Sequence, residues 1–118
     1  MDRLEAVRAC YRAYETGDRA VVERLMADDL VFFSPADPGI DRATYFERCW
    51  PNAGRTASFA FLRLIEHGDE VVVSYEAETV DGERFRNTEV LTFACDRIAR
   101  VEVYFGWSVS SATRGRAS

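Results

Sequence analysis

The segment Asp81–Trp107, DGERFRNTEVLTFACDRIARVEVYFGW, decides how this chain folds. It contains two long runs rich in alternating apolar and polar residues, which predict two antiparallel strands joined near Cys95. A third strand, Glu70–Val80, precedes the segment, and the Asp81-Gly82 pair that follows it is a strong signal for a tight hairpin turn. Long strands in a chain of 118 residues predict a strongly curved sheet that needs a helical cover.

The Asp-Gly turn sets the predicted register of the first hairpin. A two-residue loop places Glu76 opposite Asn87 and Ser74 opposite Glu89. Because side chains alternate between the two faces of a strand, Glu76, Asn87 and Glu89 then share one face of the sheet. Leu91 lies on the same face. The sequence therefore predicts two acids close together on an otherwise apolar face.

The second turn leaves two registers open. A three-residue loop, Cys95–Arg97, adds apolar residues to the same face, namely Ala99, Val101, Val103, Phe105 and Trp107. A two-residue loop instead adds Arg100, Glu102 and Tyr104. We favour the first register, because it keeps charged residues outside and apolar residues inside.

The residues before Trp50 supply the cover. Apolar spacing predicts helices over Asp2–Thr16, Asp18–Met26 and Arg42–Trp50. A short strand is predicted over Leu30–Ser34, followed by a breaker-rich loop at 35–39, and a further strand runs from Ala57 to Glu66. The predicted fold is α+β, with three N-terminal helices over a strongly curved, mainly antiparallel sheet.

Composition limits the classes of function. The length predicts one domain over residues 1–107, with a flexible tail over 108–118. The net charge of −5 disfavours nucleic acid and anionic membrane as partners, and the absence of lysine excludes Schiff-base chemistry. The single histidine, His67, excludes a multi-histidine metal site, so we predict no metal and no cofactor. Three cysteines and the lack of a signal pattern at Met1 predict a cytoplasmic protein.

Four short motifs together carry a family resemblance. They are YETGD at 14–18, ADDL at 27–30, RNTE at 86–89 and VYFGW at 103–107. In order and spacing they resemble the nuclear transport factor 2-like superfamily, particularly its SnoaL-like branch. The resemblance implies a cone-shaped barrel whose helices close a pocket. Members include ketosteroid isomerases, polyketide cyclases, dehydratases, epoxide hydrolases and non-catalytic binders, so the fold does not choose the function.

The resemblance also places individual residues. Glu89 lies near the strand position where ketosteroid isomerases carry the protonated acid of their oxyanion hole. The position of the isomerase base corresponds to Ser34, and that of the helix-1 tyrosine to Cys10, with Tyr11 and Tyr14 close by. These departures argue against steroid isomerisation by the familiar residues, although Asp37 could supply an acid from the loop.

Acid–base chemistry is the predicted use of the apolar face. Glu89 would be the proton donor or base, Glu76 its partner and Asn87 the orienting group, since buried carboxyls titrate nearer neutral pH. An arginine from a helix or loop that neutralises the acids would remove this chemistry. We also predict a set of substrate-binding residues, with no metal ligand among them: Tyr14, Cys10, Phe32, Ser34, Trp50, Leu62, Leu91, Val103, Phe105 and Trp107.

The predicted function is a cofactor-free acid–base enzyme acting on a small apolar or aromatic, ring-containing ligand, by isomerisation, cyclisation, dehydration or epoxide opening. The alternative is a non-catalytic ligand-binding or accessory dimerisation domain. A homodimer is predicted through the outer face of the sheet, where the register places four large side chains: Phe59, Phe61, Val73 and Tyr75.

Overall fold

The computed structural model describes residues 1–109 and has three helices, one short 3-10 turn and six strands. The helices are α1 (Arg3–Thr16), α2 (Arg19–Leu25) and α3 (Arg42–Arg48), and the 3-10 turn is Trp50–Asn52. The strands are β1 (Met26–Ser34), β2 (Asp37–Asp41), β3 (Thr56–His67), β4 (Glu70–Thr79), β5 (Arg84–Ala94) and β6 (Arg97–Ser108).

All six strands form one sheet in the order β2-β1-β6-β5-β4-β3. The β1–β6 pair is parallel and the other four pairs are antiparallel. The sheet is curved and does not close, since β2 and β3 are its edges. The predicted α+β class with a curved, mainly antiparallel sheet is confirmed.

Local sequence explains where the helices begin and end. Asp2 caps α1 by accepting from the Glu5 N–H at 2.8 Å, and Gly17 ends the helix with a left-handed φ of 76°. Asp41 caps α3 in the same way, through the Thr44 N–H at 2.9 Å. Among residues 1–109, no helix is long and apolar enough to cross a membrane.

Strand β2 was not predicted, because residues 35–39 were assigned to a loop. The chain turns after Ser34 and pairs Asp37–Asp41 with β1, across an irregularity between Phe32 and Phe33. Proline and glycine within β2 are tolerated because the strand lies at an edge of the sheet. This hairpin carries Asp37 back into the core, where the residue is 8% exposed.

The predicted register of β4 against β5 is wrong by one residue. The turn is a three-residue loop, Val80–Gly82, closed by a 2.8 Å hydrogen bond from the Thr79 N–H to the Glu83 carbonyl. Gly82 has a φ of 88°, while Asp81 has an ordinary negative φ, so this is not the two-residue turn that the Asp-Gly pair suggested. Glu76 therefore pairs with Arg86, and Tyr75 pairs with Asn87.

The shift moves every β4 side chain to the opposite face from the one predicted. Val73 and Tyr75 are buried in the core instead of lying outside. Phe59 and Phe61, on the neighbouring strand, pack against the Tyr11 ring at 5.0 and 5.5 Å between ring centroids. The four residues assigned to a dimer interface thus point inward or pack against α1, and the homodimer itself stays a prediction.

The turn between β5 and β6 differs from the predicted three-residue loop, but the apolar residues Val101, Val103 and Phe105 lie on the predicted face. Ala94 pairs with Arg97 across a two-residue turn, in which Cys95 has a φ of 57°. An irregularity between Thr92 and Phe93 then adds one residue to β6. The extra residue returns the apolar positions to the face that carries Glu89, as predicted, and these are Val101, Val103 and Phe105.

The end of β6 departs from the predicted tail. Strand β6 includes Ser108, and the Val109 N–H donates to the Arg84 carbonyl at 2.9 Å. The rest of the predicted tail lies outside the described residues.

Candidate active site

The helices and the inner face of the sheet enclose a cavity of about 260 Å³. Its wall is mostly apolar and aromatic, with a few polar side chains. The volume lies just below the usual range of small-molecule sites, about 300–1,000 Å³. The lining residues come from α1, β1, β2, α3, the loop after it and β3 to β6.

Glu89 is the central ionisable group of this wall. Its Oε1 accepts from the Tyr11 hydroxyl and its Oε2 from the Tyr75 hydroxyl, each at 2.7 Å. The residue is half-buried, and it lines the cavity. A carboxylate has about four lone-pair sites, so one that accepts hydrogen bonds from two hydroxyls can still exchange a proton with a ligand.

Burial controls the protonation of these groups. It raises the pKa of Glu89 above its ordinary value of 4.5, and the hydrogen bonds from the two tyrosines offset part of that rise. Burial also raises the pKa of Tyr11 and of Tyr75, and the nearby Glu89 charge adds to both effects. The tyrosines therefore stay protonated and donate at neutral pH, while Glu89 is the group that can change charge.

The tyrosine rings are fixed by aromatic packing. The Tyr11 and Tyr75 centroids are 5.4 Å apart, and the Phe59 ring contacts both in edge-to-face geometry at 5.0 and 5.1 Å. Such contacts restrict the two hydroxyls to the positions at which they meet Glu89. The site is thus preorganised without a ligand.

Asn87 is held between β4 and β6. Its Nδ2 donates to the Tyr75 hydroxyl at 3.3 Å, and its Oδ1 accepts from the Gly106 N–H at 3.2 Å. A side chain at position 106 could not be accommodated, because its Cβ would lie 2.2 Å from the Arg86 carbonyl oxygen. Gly106 therefore lets the strands approach closely enough to orient Asn87, which in turn orients Tyr75.

A second polar group lies on the β1–β2 hairpin. Asp37 Oδ2 accepts from the Ser34 hydroxyl at 3.1 Å, and Oδ1 lies 2.9 Å from Nη2 of Arg48. Both Asp37 and Ser34 line the cavity. The acid that the sequence placed on a loop thus belongs to the same cavity as Glu89.

Other polar side chains of the wall hydrogen-bond to each other or are kept neutral by burial. The hydroxyls of Tyr14 and Tyr45 hydrogen-bond to each other, and burial raises the pKa of Tyr14. Burial also raises the pKa of the Cys10 thiol to about 12, which keeps it protonated and unsuited to nucleophilic attack. Within residues 1–109, no three His, Cys, Asp or Glu side chains converge as a metal site would require.

Nine of the predicted site residues line the cavity. They are Cys10, Tyr14, Phe32, Ser34, Asn87, Glu89, Leu91, Val103 and Phe105. Lining the wall shows where these side chains lie, and their roles in binding or catalysis stay predictions.

Four predicted site residues lie elsewhere. Glu76 faces outward, where its carboxylate lies 3.2 Å from Arg86 Nε and 3.8 Å from Arg84 Nη1. Leu62 occupies the irregularity in β3 and is 43% exposed. The position of Glu76 follows from the shifted register and that of Leu62 from the irregularity in β3, so the acid pair predicted for the apolar face is wrong.

Trp50 and Trp107 miss the cavity for local reasons. Helix α3 ends at Arg48, so Trp50 starts the 3-10 turn and packs behind Tyr14, with the ring centroids 5.0 Å apart. An irregularity between Phe105 and Ser108 turns Trp107 outward, where it is 65% exposed and lies beside Arg86.

The sequence does not predict that Tyr75 and Tyr45 line the cavity, and it offers Tyr11 and Asp37 only as secondary candidates for the site. A signal for Tyr75 was present in β4. The alternate residues Val71, Val73, Tyr75 and Ala77 are apolar or aromatic, whereas Ser74, Glu76 and Glu78 are polar. That alternation favours Tyr75 inside and Glu76 outside.

Comparisons with known proteins agree with this architecture. The family model described as "SnoaL-like domain" matches residues 7–101. A crystal structure of a Kribbella flavida protein has a TM-score of 0.76 at 26% identity, covering 87% of this chain and 85% of that one. No curated protein matches.

Two more distant structures share the fold and have stated activities. An LEH-like epoxide hydrolase from M. tuberculosis has a TM-score of 0.71 at 20% identity, covering 87% of this chain and 81% of its own. A proposed polyketide cyclase from Sinorhizobium meliloti has a TM-score of 0.70 at 20% identity, covering 84% of this chain and 93% of its own. At these identities the likeness concerns the fold alone.

Proposed function

This chain belongs to the SnoaL-like domain family, as its resemblance to the nuclear transport factor 2-like superfamily indicates, and we propose that it is a cofactor-free acid–base enzyme. Its substrate would be an uncharged, ring-containing molecule held in the cavity. The reaction would be a proton transfer within an isomerisation, cyclisation, dehydration or epoxide opening.

The observation that carries the proposal is the environment of Glu89. Its carboxyl lines an apolar cavity, no arginine of residues 1–109 is among the cavity-lining residues, and burial raises its pKa above the ordinary value. General acid–base catalysis is most effective when the pKa of the group lies near the working pH. Glu89 would exchange the proton, Tyr11 and Tyr75 would stabilise the charge on its carboxylate, and Asn87 would orient Tyr75.

Asp37 gives the proposal a second acid in place of Glu76. It lines the same cavity and is buried, and Ser34 and Arg48 hold its carboxylate. Asp37 lies beside the Arg48 guanidinium, whereas Glu89 accepts from two tyrosine hydroxyls, so the two carboxyls lie in different environments. Such a division is typical of sites in which one group accepts a proton while another donates one.

A proton-exchange assay tests the proposal without knowledge of the natural substrate. Uncharged cyclic ketones would be incubated with the protein in D₂O, and loss of the protons beside the carbonyl would be followed by NMR. A parallel set of cyclic epoxides would be incubated in ¹⁸O-labelled water and analysed for labelled diol. We expect turnover of at least one compound, and a loss of about 100-fold or more in Glu89→Gln.

The matched control is Glu102→Gln. Glu102 lies on β6 and accepts from Tyr104 and Arg100, but it does not line the cavity. Its replacement should leave turnover unchanged. Equal activity of Glu89→Gln and the unmodified protein would contradict the proposed role of Glu89.

Ligand binding without turnover is the second candidate function. It is favoured by the two tyrosine hydroxyls that donate to Glu89, one to each oxygen, since they would also stabilise a carboxylate with a structural role. Binding of the same compounds by calorimetry, with no exchange or ring opening above the rate in buffer, would select this function. The open cavity argues against a third possibility, a pure dimerisation module, since such a module would fill its interior.

A further inference from the structure

An ion pair joins the wall of the cavity to the molecular surface. Asp37 lines the cavity and its side chain is 11% exposed, whereas the side chain of Arg48, at the end of α3, is 53% exposed. Arg48 is not among the residues that line the cavity. The guanidinium therefore approaches the Asp37 carboxylate from the solvent side.

The hairpin holds that carboxylate in place independently of Arg48. The Ser34 hydroxyl oxygen accepts from the N–H groups of Ala36 and Asp37 at 3.2 and 3.1 Å. Its proton is therefore directed to Asp37 Oδ2. Asp37 would keep its position toward the cavity if the arginine were replaced.

The other carboxylate oxygen of Asp37 is incompletely satisfied. Oδ1 has almost no accessible surface and, within residues 1–109, accepts no hydrogen bond of good geometry, although Arg48 Nη2 is 2.9 Å away. The contact with Arg48 is thus chiefly one of opposite charges. A buried acceptor left in this condition favours any donor that can reach it.

Among residues 1–109, Asp37 and Glu89 are the two acids that line the cavity. We infer that Arg48 sets the charge selectivity of the cavity. Its guanidinium compensates the charge of the Asp37 carboxylate from the solvent side, so that Glu89 alone presents a carboxyl without a cationic partner. Uncharged ring compounds are therefore preferred. Without Arg48, the cavity would hold two uncompensated acids and would select ring compounds bearing an ammonium group. This inference rests on the cavity being the ligand site, as in the proposed function, but does not require turnover.

The test uses three ligands that share a ring and differ in charge. They are 2-naphthalenemethanol, 2-(aminomethyl)naphthalene and 2-naphthoate, each titrated at pH 7 by calorimetry or NMR. We expect the unmodified protein to bind the alcohol more tightly than either charged compound. In Arg48→Gln, affinity for the amine relative to the alcohol should rise about tenfold or more, equivalent to about 1.4 kcal/mol, and Arg48→Lys should restore the original preference.

Two further variants make the test specific. Arg19→Gln is the control, since Arg19 is a half-exposed helical arginine that pairs with Glu23 away from the cavity. It should leave the preference unchanged. Arg48→Gln combined with Asp37→Asn removes both charges, which guards against misfolding of the single variant, and should also favour the alcohol.

Three results would overturn the inference. The first is failure of a folded Arg48→Gln protein to bind the amine. The second is an unchanged ratio of amine to alcohol affinity in that variant, and the third is the same shift of the ratio in Arg19→Gln. Because the assay measures binding, a protein that shows the shift yet has no proton-exchange activity would retain the inference while the proposed catalytic function fails.

Discussion

At the level of single residues, the environment of Glu89 explains why an acid can lie in an apolar wall. Two tyrosine hydroxyls satisfy its oxygens, and the rings that carry them are packed among aromatic neighbours. The sequence identified Glu89 and Asn87 because both belong to β5 and share a face with Leu91 in any register of that strand. It did not identify Tyr75, whose side depends on how β4 pairs with β5.

Glu89 should make the stability of the protein depend on pH. Because burial raises its folded pKa above that of the unfolded chain, the native state holds the proton more tightly. The stabilising contribution is complete below the unfolded value of about 4.3 and is lost as the pH rises through the folded pKa. Between pH 4.5 and 8, the melting temperature of the unmodified protein should therefore fall relative to that of Glu89→Gln. A difference between the two proteins that does not vary with pH would argue against the raised pKa.

Tyr75→Phe tests the hydrogen bond to Glu89 directly. Loss of this donor should lower the free energy of unfolding by about 1–3 kcal/mol, because it leaves a buried carboxyl oxygen of Glu89 without its hydrogen-bond partner. Tyr104→Phe is the control: its hydroxyl donates to Glu102 at an exposed site, and the expected change is within about 0.5 kcal/mol. Urea denaturation measures both, and equal losses would contradict the account.

At the level of secondary-structure elements, turn geometry decided which predictions held. In β6, the apolar pattern predicts the face although the loop length is uncertain, and a strand irregularity gives β6 that face. In β4, the prediction rests on the Asp-Gly signal alone, and the three-residue loop reverses the predicted faces. Loop length alone cannot be read from an Asp-Gly pair, since both two- and three-residue hairpins place glycine at a left-handed position.

Glu76→Gln tests the corrected register. Glu76 faces outward and pairs with arginines, so its replacement should change the free energy of unfolding by about 1 kcal/mol or less. It should also leave any turnover unchanged, in contrast to Glu89→Gln. Loss of activity comparable to that of Glu89→Gln would return Glu76 to the site and contradict the register.

Gly106→Ala tests the close approach of β5 and β6. The new Cβ would lie 2.2 Å from the Arg86 carbonyl oxygen, so the strands must separate and the hydrogen bond to Asn87 must weaken. We expect a loss of about 2–3 kcal/mol in the free energy of unfolding, together with shifted NMR signals of the Asn87 side-chain amide.

Gly68→Ala is the matched comparison for that variant. Gly68 has a φ of 60° and open space around it, so alanine there adds backbone strain without a clash and should cost about 1 kcal/mol. If Gly106→Ala were no more damaging than Gly68→Ala, the crowding at Gly106 would not matter to the fold.

For the whole molecule, the order of elements was predictable because helical and strand periodicities differ along most of the chain. The parallel contact of β1 with β6 and the extra edge strand β2 were not, since both depend on how distant segments meet. The same limit applies to the cavity. Asp37, Tyr75 and Glu89 come from three separate strands, and their meeting follows from sheet curvature and register, which no local pattern specifies.

The central claim is that Glu89 titrates at an elevated pH inside this cavity. The most direct measurement is a ¹³C NMR titration of the glutamate side-chain carboxyls, with the Glu89 signal assigned by its absence in Glu89→Gln. The account predicts a midpoint for Glu89 above its ordinary value of 4.5. A midpoint at or below 4.5 would contradict the account and remove the basis for Glu89 as the acid–base group.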